Sequence, residues 1–348
     1  MKFLFDIGHP AHVHLFRHLI NHLERNGHTI FAATRQKDVT VSLCEAYHIH
    51  QQVISKAYKG SFHQGFEEFV QRTLVLLRIA RCFKPDALLG TSLSIGIVGR
   101  LIRKPSFVLN EDDASVVPLF AKIAYPPANY IVTPECLKYE NYGNKHIVYP
   151  GYHELGYLHP NVFKPNPELL ETFGINSKKI FFIVRLVALK AYHDSRQLGL
   201  STTDAVQLVN LLSTKGRVII SSELDLLDMF KPYQVNIPPE HMHDLLAHAS
   251  MYIGDSQTMC AEAAVLGVPS IRCNSFVGRI SYLEELEHRY GLTRGFLPSH
   301  KNEMVDLIKL WLTHLDHIKN QMQLRRQRML QHCIYVTPFL LELISKKT

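Results

Sequence analysis

The chain has 348 residues, of which 46% are hydrophobic and 20% charged, so a disordered or fibrous protein is excluded and two domains of ordinary size fit. The formal net charge is +7 and the pI is near 9.0. Such a charge suits an anionic partner: a nucleotide sugar, a nucleic acid or an acidic membrane surface. No zinc-finger, RRM or helix-turn-helix signature accompanies it, so we expect no nucleic-acid partner.

Cysteine usage and hydropathy indicate the compartment. Six cysteines are scattered along the chain without a CxxC pair, which is typical of thiols in a reducing environment. Residues 1–7 are too short for the core of a signal peptide, and no apolar run approaches the roughly 18 residues of a membrane span. We therefore expect a cytoplasmic protein, with peripheral contact at the inner face of the membrane left open.

The first third of the chain predicts a parallel sheet. A strand at residues 2–7, a helix at about 12–26 and a strand at 29–33 form a βαβ opening. Further strands at 87–90 and 106–109 end in polar turns. Because the carboxyl ends of parallel strands share one edge of a sheet, we expect a ligand there.

A second α/β series follows a stretch without periodicity. Residues 145–163 are rich in Gly, Pro, His and Tyr, which predicts a domain boundary near residues 151–167. Three more strands are predicted at residues 180–184, 217–221 and 251–253. The expected organisation is a first Rossmann-like domain at residues 1–155, a second at 165–325, and a C-terminal helix at 326–348 that could cross back to the first domain.

A charged helix is predicted at residues 315–331, and it allows two interpretations. Its cations, among them Lys319, Arg325 and Arg326, could face a membrane surface. Alternatively, the helix is solvated on one side and packs locally through its apolar face, which is the interpretation that we favour.

The most informative stretch is residues 251–272, which predicts strand, tight turn, helix, turn and strand. Asp255 or Ser256 can cap the helix, so that the first-turn N–H groups near Thr258, Met259 and Cys260 are available to phosphate. Gln257 and Thr258 are the first residues of this turn and are candidate substrate contacts. Glu262 lies just inside that first turn, and its carboxylate could accept hydrogen bonds from both hydroxyls of a ribose. Alternatively, Asp255 and Ser256 only cap a structural helix, and Glu262 is solvated.

The same stretch resembles the donor-nucleotide segment of GT-B glycosyltransferases and of UDP-N-acetylglucosamine 2-epimerases. Glu262-Ala263 matches their Glu-Ala pair, and Leu266-Gly267-Val268-Pro269 matches the following turn. Gln257-Thr258 departs from the two glycines of the epimerases. The segments FDIGHPAHVHLFRHLI, RLVALKAYHD and GDSQTMCAEAAVLGVPSIR are similar to the DUF354 family of prokaryotic proteins. The resemblance implies an α/β, GT-B-like fold with two Rossmann-like domains whose parallel sheets face a central cleft.

Further donor contacts are predicted in the second domain. Arg185, at the end of its strand, could hold a diphosphate by a bidentate contact. Lys190 and His193 in the following loop are additional candidates, and any of the three could instead pair with a surface carboxylate. His243 precedes the strand at 251–253, where GT-B proteins contact the base, although a capping role is equally compatible.

Two residues of the first domain are candidates for catalysis. Gly8 and His9 follow the first strand, and a neutral His9 could accept a proton from an acceptor hydroxyl or simply hydrogen-bond its loop. Glu111 aligns with a carboxylate that the epimerases use as an acid or base, although it could instead be a binding or structural carboxylate. Thr91 and Val184 stand where the epimerases carry an acidic residue and a histidine, which disfavours epimerisation.

The resemblance to GT-B glycosyltransferases implies that these residues belong to a glycosyltransferase, and analogy with that family implies a role in surface-polysaccharide assembly. Its partners would be a nucleotide sugar, most simply a UDP-sugar, and a glycan or lipid-linked acceptor. The alternatives are a nucleotide-sugar 2-epimerase or hydrolase, and a nucleotide-sugar-binding protein without catalysis. His14 and His18 are one helical turn apart, but no third ligand accompanies them, so we expect neither a metal nor another cofactor.

Overall fold

The computed structural model describes residues 1–57, 62–137, 140–186, 199–222 and 226–348. It divides into two compact units, Met1–His159 with Cys333–Thr348, and Pro160–His332. Among the described residues, no helix is both long enough and apolar enough to cross a membrane.

Both units are built on parallel strands. The strands are β1 (Lys2–Ile7), β2 (Thr29–Gln36), β3 (Gln51–Lys56), β4 (Ala87–Gly90), β5 (Ser106–Leu109), β6 (Tyr130–Pro134), β7 (His146–Tyr149), β8 (Phe181–Leu186), β9 (Arg217–Ser222), β10 (Met251–Gly254), β11 (Ser270–Cys273) and β12 (Thr293–Phe296). The order in the first unit is β3-β2-β1-β4-β5-β6-β7, and in the second β12-β11-β10-β8-β9. Every pairing between these strands is parallel.

Helices connect the strands. They are α1 (Pro10–Arg25), α2 (Thr40–Ala46), α3 (Phe62–Phe83), α4 (Leu93–Ile102), α5 (Pro118–Ala124), α6 (Pro167–Thr172), α7 (Thr202–Ser213), α8 (Met242–His248), α9 (Gln257–Leu266), α10 (Ser281–Glu284), α11 (Lys301–Thr313), α12 (Leu315–His332) and α13 (Val336–Lys347). The prediction of an α/β fold with two parallel sheets is confirmed. The strands at 87–90 and 106–109 have the predicted bounds, and α1 begins earlier than predicted because Pro10 suits a first helical position.

The sheet of the first unit has apolar helices on both faces. Leu4 and Val108 belong to a buried cluster that also contains Leu76 of α3 and Ile95 of α4. On the other face, the ring of Phe5 packs edge-on against a phenylalanine of α1, with 5.3 Å between ring centroids. The C-terminal helix α13 also packs on α1 within this unit. A sheet covered on both faces requires buried, mainly apolar strands, and every residue of β4 and β5 is buried, as is every residue of β1 after Lys2.

One ion pair is buried inside the first unit. The carboxylate of Asp6, which is fully buried in β1, pairs with Arg72 of α3 and accepts a hydrogen bond from the Ser92 hydroxyl. Arg72 also donates to Ser55 Oγ (2.7 Å) and to the carbonyl of Thr34 (3.3 Å). Because a buried charge is costly unless it is paired and hydrogen-bonded, this network fixes α3 and the start of α4 relative to β1.

In the second unit, α12 packs against the end of α9. Gly267 ends α9 in the left-handed region (φ 73°), where a side chain would be strained. Gln323 donates to the carbonyls of Leu266 and Gly267, and Arg326 donates to that of Val265 at 2.8 Å. Burial lowers the pKa of Arg326. The local-packing interpretation of the charged helix therefore agrees with the structure.

Replacement of two helical glycines by alanine should change the stability of the protein in opposite directions. A Cβ at Gly96 would lie 2.7 Å from the carbonyl oxygen of Ala124, whereas one at Gly65 would have no neighbour within 4 Å. Gly65→Ala should stabilise the protein by roughly 0.5–1 kcal/mol through helix propensity, and Gly96→Ala should destabilise it by roughly 1–3 kcal/mol. Urea unfolding of both variants measures this. Equal midpoints would contradict the close contact between α4 and α5.

Candidate functional site

Each sheet has a point at which its strand order reverses, and ligands of open α/β sheets bind at the carboxyl edge of such a point. In the first unit the reversal lies between β1 and β4, and in the second between β8 and β10. The predicted site residues fall at these two carboxyl edges: Gly8, His9 and Glu111 in the first unit, and Arg185, Asp255 and Ser256 in the second.

His9 is the cap of α1 in the first unit. Its Nδ1 accepts a hydrogen bond from the backbone N–H of Ala11 at 3.2 Å, which places the proton of a neutral ring on Nε2. The N–H of Gly8 points to His12 Nδ1 at 3.4 Å. The imidazoles of His9 and His12 therefore both hydrogen-bond the backbone of the turn after β1. The contact of His12 was not predicted from the sequence.

His12 connects the turn after β1 to the turn after β4. Its Nε2 lies 2.6 Å from the hydroxyl of Thr91. Burial, and then the nearby His9 and His153, hold the pKa of His12 well below its usual value, so it is neutral at pH 7. Thr91, which replaces an acidic residue of the epimerases, therefore acts here as a hydrogen-bond partner of a neutral imidazole.

Glu111 pairs with a histidine that the sequence analysis missed. His153 Nδ1 lies 3.3 Å from Glu111 Oε2, and the side chains are 9% and 16% exposed. The ring of Tyr149 stacks over His153, with 6.5 Å between centroids. The available signal was the His-Glu pair in the segment after β7, a polar pair at a strand end of the same sheet. The pair leaves the Glu111 carboxylate partly accessible at the edge.

Asp112 adjoins this pair. Burial, and next to it the negative charge of Glu111, raises the pKa of Asp112 from 3.8 to about 6, against the opposing effect of His153. A carboxyl group with such a pKa exchanges a proton close to neutral pH, as acid and base catalysts do. Nothing in the sequence distinguished Asp112 from its acidic neighbours, because the difference arises from burial.

The two histidines considered for a metal have protein partners. His14 stacks on Tyr157 with 5.2 Å between centroids, and the Tyr47 hydroxyl lies 3.3 Å from its Nδ1. Arg17 donates to His18 at 3.2 Å. Across the described ranges, no group of three or more His, Cys, Asp and Glu side chains is arranged to hold a metal ion.

At the edge of the second unit, α9 begins directly after β10. Ser256 is its cap and accepts from the N–H of Met259 at 3.3 Å, while Asp255 lies one residue before the cap and is 9% exposed. Gln257 and Thr258 form the partly exposed first turn. The amides of a first helical turn have no acceptor within the helix, so they favour an anion here.

Glu262 is buried, not solvated. Its side chain is 5% exposed, and its Oε1 lies 2.9 Å from Nε2 of His243, which is 3% exposed. The structure thus joins two residues that the sequence placed in separate segments, one in α8 and one in α9. The ring of Phe163 meets that of His243 edge-on at 6.2 Å. Imidazole and carboxylate form a polar pair just inside the first turn of α9.

Arg185 lies beside this turn. The backbone carbonyl of Arg185 accepts from the N–H of Asp255 at 3.3 Å, and its guanidinium donates to Ser221 Oγ at 2.7 Å. A Cβ on Gly254 would come within 2.7 Å of the Arg185 carbonyl, so glycine permits this close approach. The predicted contacts Lys190 and His193 lie outside the described residues.

Two polar residues after β10 were missed. Asn274, 3% exposed, donates from Nδ2 to the carbonyl of Asp255 at 3.0 Å and so supports the turn before α9. Arg272, 1% exposed, pairs with Glu284 at 2.5 Å and Glu287 at 3.4 Å. The signal was a charged residue inside the short apolar strand β11, which requires a buried partner.

Comparison with known proteins identifies the family of the chain and structures of similar fold. The family described as "Protein of unknown function (DUF354)" matches residues 1–321. No curated protein matches the chain. The structure is similar to a UDP-GlcNAc 2-epimerase from Neisseria meningitidis bound to UDP-GlcNAc, with 12% identity and a TM-score of 0.69 over 99% of this chain and 100% of that one.

Two further solved structures are similar. A UDP-GlcNAc 2-epimerase from Methanocaldococcus jannaschii, in complex with UDP-GlcNAc and UDP, has 14% identity and a TM-score of 0.67, covering 90% of this chain and 93% of its own. The spinosyn rhamnosyltransferase SpnG, complexed with spinosyn aglycone, has 13% identity and a TM-score of 0.62 over 99% and 100%. The two parallel sheets are those of the GT-B type, and at these identities the likeness concerns the fold.

Asp112 should make stability depend on pH. Because its pKa is higher in the folded state, protonation favours that state, and the contribution is complete below pH 4 and lost as pH rises through 6. Asp112→Asn should therefore stabilise the protein by about 1–3 kcal/mol at pH 8 and hardly at pH 4. Urea unfolding at both pH values measures this, with Asp228→Asn at a 94% exposed side chain as the control. An equal effect of Asp112→Asn at both pH values would contradict the burial of this carboxyl group.

Proposed function

The chain belongs to the DUF354 family, and from that premise we propose that it is a glycosyltransferase that moves a sugar from a UDP-sugar to a glycan or lipid-linked acceptor. The observation that carries the proposal is the buried pair of Glu262 and His243 behind the first turn of α9. The second unit would bind the nucleotide, and the first would supply the groups that act on the acceptor. A role in surface-polysaccharide assembly rests on analogy with GT-B glycosyltransferases.

The donor's nucleotide would be held by charge and hydrogen bonds at α9. The first-turn amides of Gln257 and Thr258 would receive a phosphate, and the Glu262 carboxylate would accept from the ribose hydroxyls. His243 keeps Glu262 in one orientation, because the hydrogen bond between these two buried groups fixes the imidazole ring of His243 and the rotamer of Glu262. UDP is supported as the nucleotide by the named ligands of two structural neighbours.

Departure of the nucleotide requires a cation or hydrogen-bond donors. Negative charge develops on the diphosphate as the bond to the sugar breaks, and preorganised donors stabilise it most effectively. The guanidinium of Arg185 carries five N–H donors, donates to Ser221, and lies next to the turn that would receive the phosphate. Arg185 and the first turn of α9 are therefore assigned to the leaving group.

The acceptor hydroxyl must lose a proton to a group of the first unit. His9 Nδ1 is engaged with Ala11, so a neutral His9 presents Nε2–H, a donor, unless that cap bond opens. The partly exposed Glu111 carboxylate can accept a proton without such a change. His9 would therefore position the acceptor or transfer its proton, and Glu111 is the alternative base.

A nucleotide-sugar 2-epimerase or hydrolase is the second candidate function, favoured by Glu111 at the end of β5 beside Asp112 with its raised pKa. Against it, Thr91 pairs with a neutral imidazole, and Val184 is a fully buried strand residue without acid or base chemistry. Incubation with UDP-, GDP- and CMP-sugars separates the candidates. Epimerisation or hydrolysis gives product without an acceptor, transfer requires one, and a binding protein gives neither.

His9 can be tested with a variant that preserves its cap. His9→Ala removes both imidazole and cap, at a cost of roughly 1 kcal/mol of stability, whereas His9→Asn retains a capping side chain and removes only the titratable ring. If His9 takes part in transfer, both variants should reduce kcat while the donor Kd stays nearly constant. Steady-state kinetics and calorimetry measure these quantities. Full activity of His9→Asn would limit His9 to a capping role.

Glu262 can be tested by nucleotide affinity. Glu262→Gln keeps an acceptor for His243 but replaces charge-assisted bonds to the ribose with neutral ones. UDP affinity should fall by roughly 1.5–3 kcal/mol, about ten- to a hundredfold. A 2′,3′-dideoxy nucleotide is the matched control, since it should bind the wild type weakly and lose little more on the variant. Calorimetry that gives equal UDP affinities would remove Glu262 from the nucleotide site.

A further inference from the structure

A second concave site lies at the opposite edge of the first unit's sheet. A cavity of about 640 Å³ is lined by Arg100, Arg103, Lys104 and Lys145, together with three prolines. These residues come from the end of α4 and from the segments that lead into β5, β6 and β7, so they lie at the amino ends of the strands. Glu111 follows the carboxyl end of β5, so the cavity is separate from the site described above.

The cations of this cavity are crowded. Lys145 donates its ammonium to the carbonyls of Tyr125 (2.6 Å) and Pro126 (3.2 Å), and burial, with the positive charge of Arg100, lowers the pKa of Lys145. Lys104 lies 3.7 Å from Asp86, a pair that is about 40% exposed. No carboxylate is among the described residues that line the cavity.

The end of a helix accounts for part of this arrangement. Arg100 is in the last turn of α4 and Arg103 is its C-cap, where a cation gains roughly 0.3–1 kcal/mol from the helix dipole. Lys145 is on a different segment, and its ammonium donates to the carbonyl of Tyr125, the C-cap of α5. Arg103 also has left-handed backbone (φ 56°), where glycine is the unstrained choice, so a guanidinium is present despite strain.

We propose that this cavity binds a phosphate ester. The guanidinium groups of Arg100 and Arg103 provide the donors that phosphate oxygens require. The ammonium groups of Lys104 and Lys145, which contact Asp86 and two backbone carbonyls, add positive charge. The volume is in the range of small-ligand pockets and larger than a phosphate ion needs, and its proline walls suit the organic part of an ester. None of the described residues that line the cavity is aromatic, so they offer a nucleotide base no stacking surface.

The same chemistry has two sources, a soluble phosphate ester and the headgroup of an anionic phospholipid. Glycerol 3-phosphate is the probe for the first, and phosphatidylglycerol vesicles, compared with phosphatidylcholine vesicles, are the probe for the second. The cavity variant is Arg100→Gln with Arg103→Asn, because Asn tolerates left-handed backbone. The control variant, Lys231→Gln with Lys309→Gln, removes two charges from side chains that are 63% and 57% exposed.

Binding of either probe should weaken at least about tenfold in the cavity variant and stay unchanged in the control. Loss of glycerol 3-phosphate binding identifies a soluble ester, and loss of phosphatidylglycerol binding alone identifies a lipid headgroup. Equal weakening in both variants, or no binding of either probe by the wild type, would overturn the proposal.

A second measurement needs no variant. Because its pKa is lowered, the amine of Lys145 should acylate readily with acetic anhydride, and a bound phosphate ester should protect it severalfold by contact and by raising that pKa. Peptide mass spectrometry with and without the bound probe measures the modification at Lys145, with Lys309 as the internal reference. An unchanged acylation rate at Lys145 would contradict binding in the cavity.

Discussion

The hydrogen bond between His243 and Glu262 is the interaction on which the second unit's site depends. Burying a carboxylate and an imidazole between α8 and α9 costs free energy unless they satisfy each other. The pair therefore fixes α8 against α9, and with it the turn at Ser256 and the first-turn amides. The other end of α9 is held by the donors of α12, so the helix cannot shift relative to β10 without breaking polar contacts at both ends.

Buried polar pairs of different residues also fix the elements of the first unit. Asp6 and Arg72 fix the start of α4 from inside the sheet, and His12 connects the turns after β1 and β4 at the edge. At the same edge of the first unit, Glu111 and His153 form an imidazole-carboxylate pair, as Glu262 and His243 do in the second unit. Since each pair is largely removed from water, the polar groups at the edge have defined orientations, as groups that transfer protons or position a hydroxyl must have.

Much of the fold could be predicted because its signals are local. The strands at 87–90 and 106–109 are short apolar runs between turn residues, and Ser256 is a strong capping residue directly after an apolar strand. The pairs that build the edges could not be predicted. His153 is far from Glu111 in sequence, and His243 is separated from Glu262 by a strand, so their proximity arises from tertiary packing. The burial that raises the pKa of Asp112 also has no sequence signal.

The central claim is that a nucleotide binds at the start of α9, with its ribose on Glu262. A crystal structure of the protein with UDP tests it most directly. The account predicts both ribose hydroxyls within about 3 Å of the Glu262 carboxylate and the diphosphate at the first-turn amides of Gln257 and Thr258. A nucleotide bound elsewhere, with Glu262 contacting only His243, would contradict it.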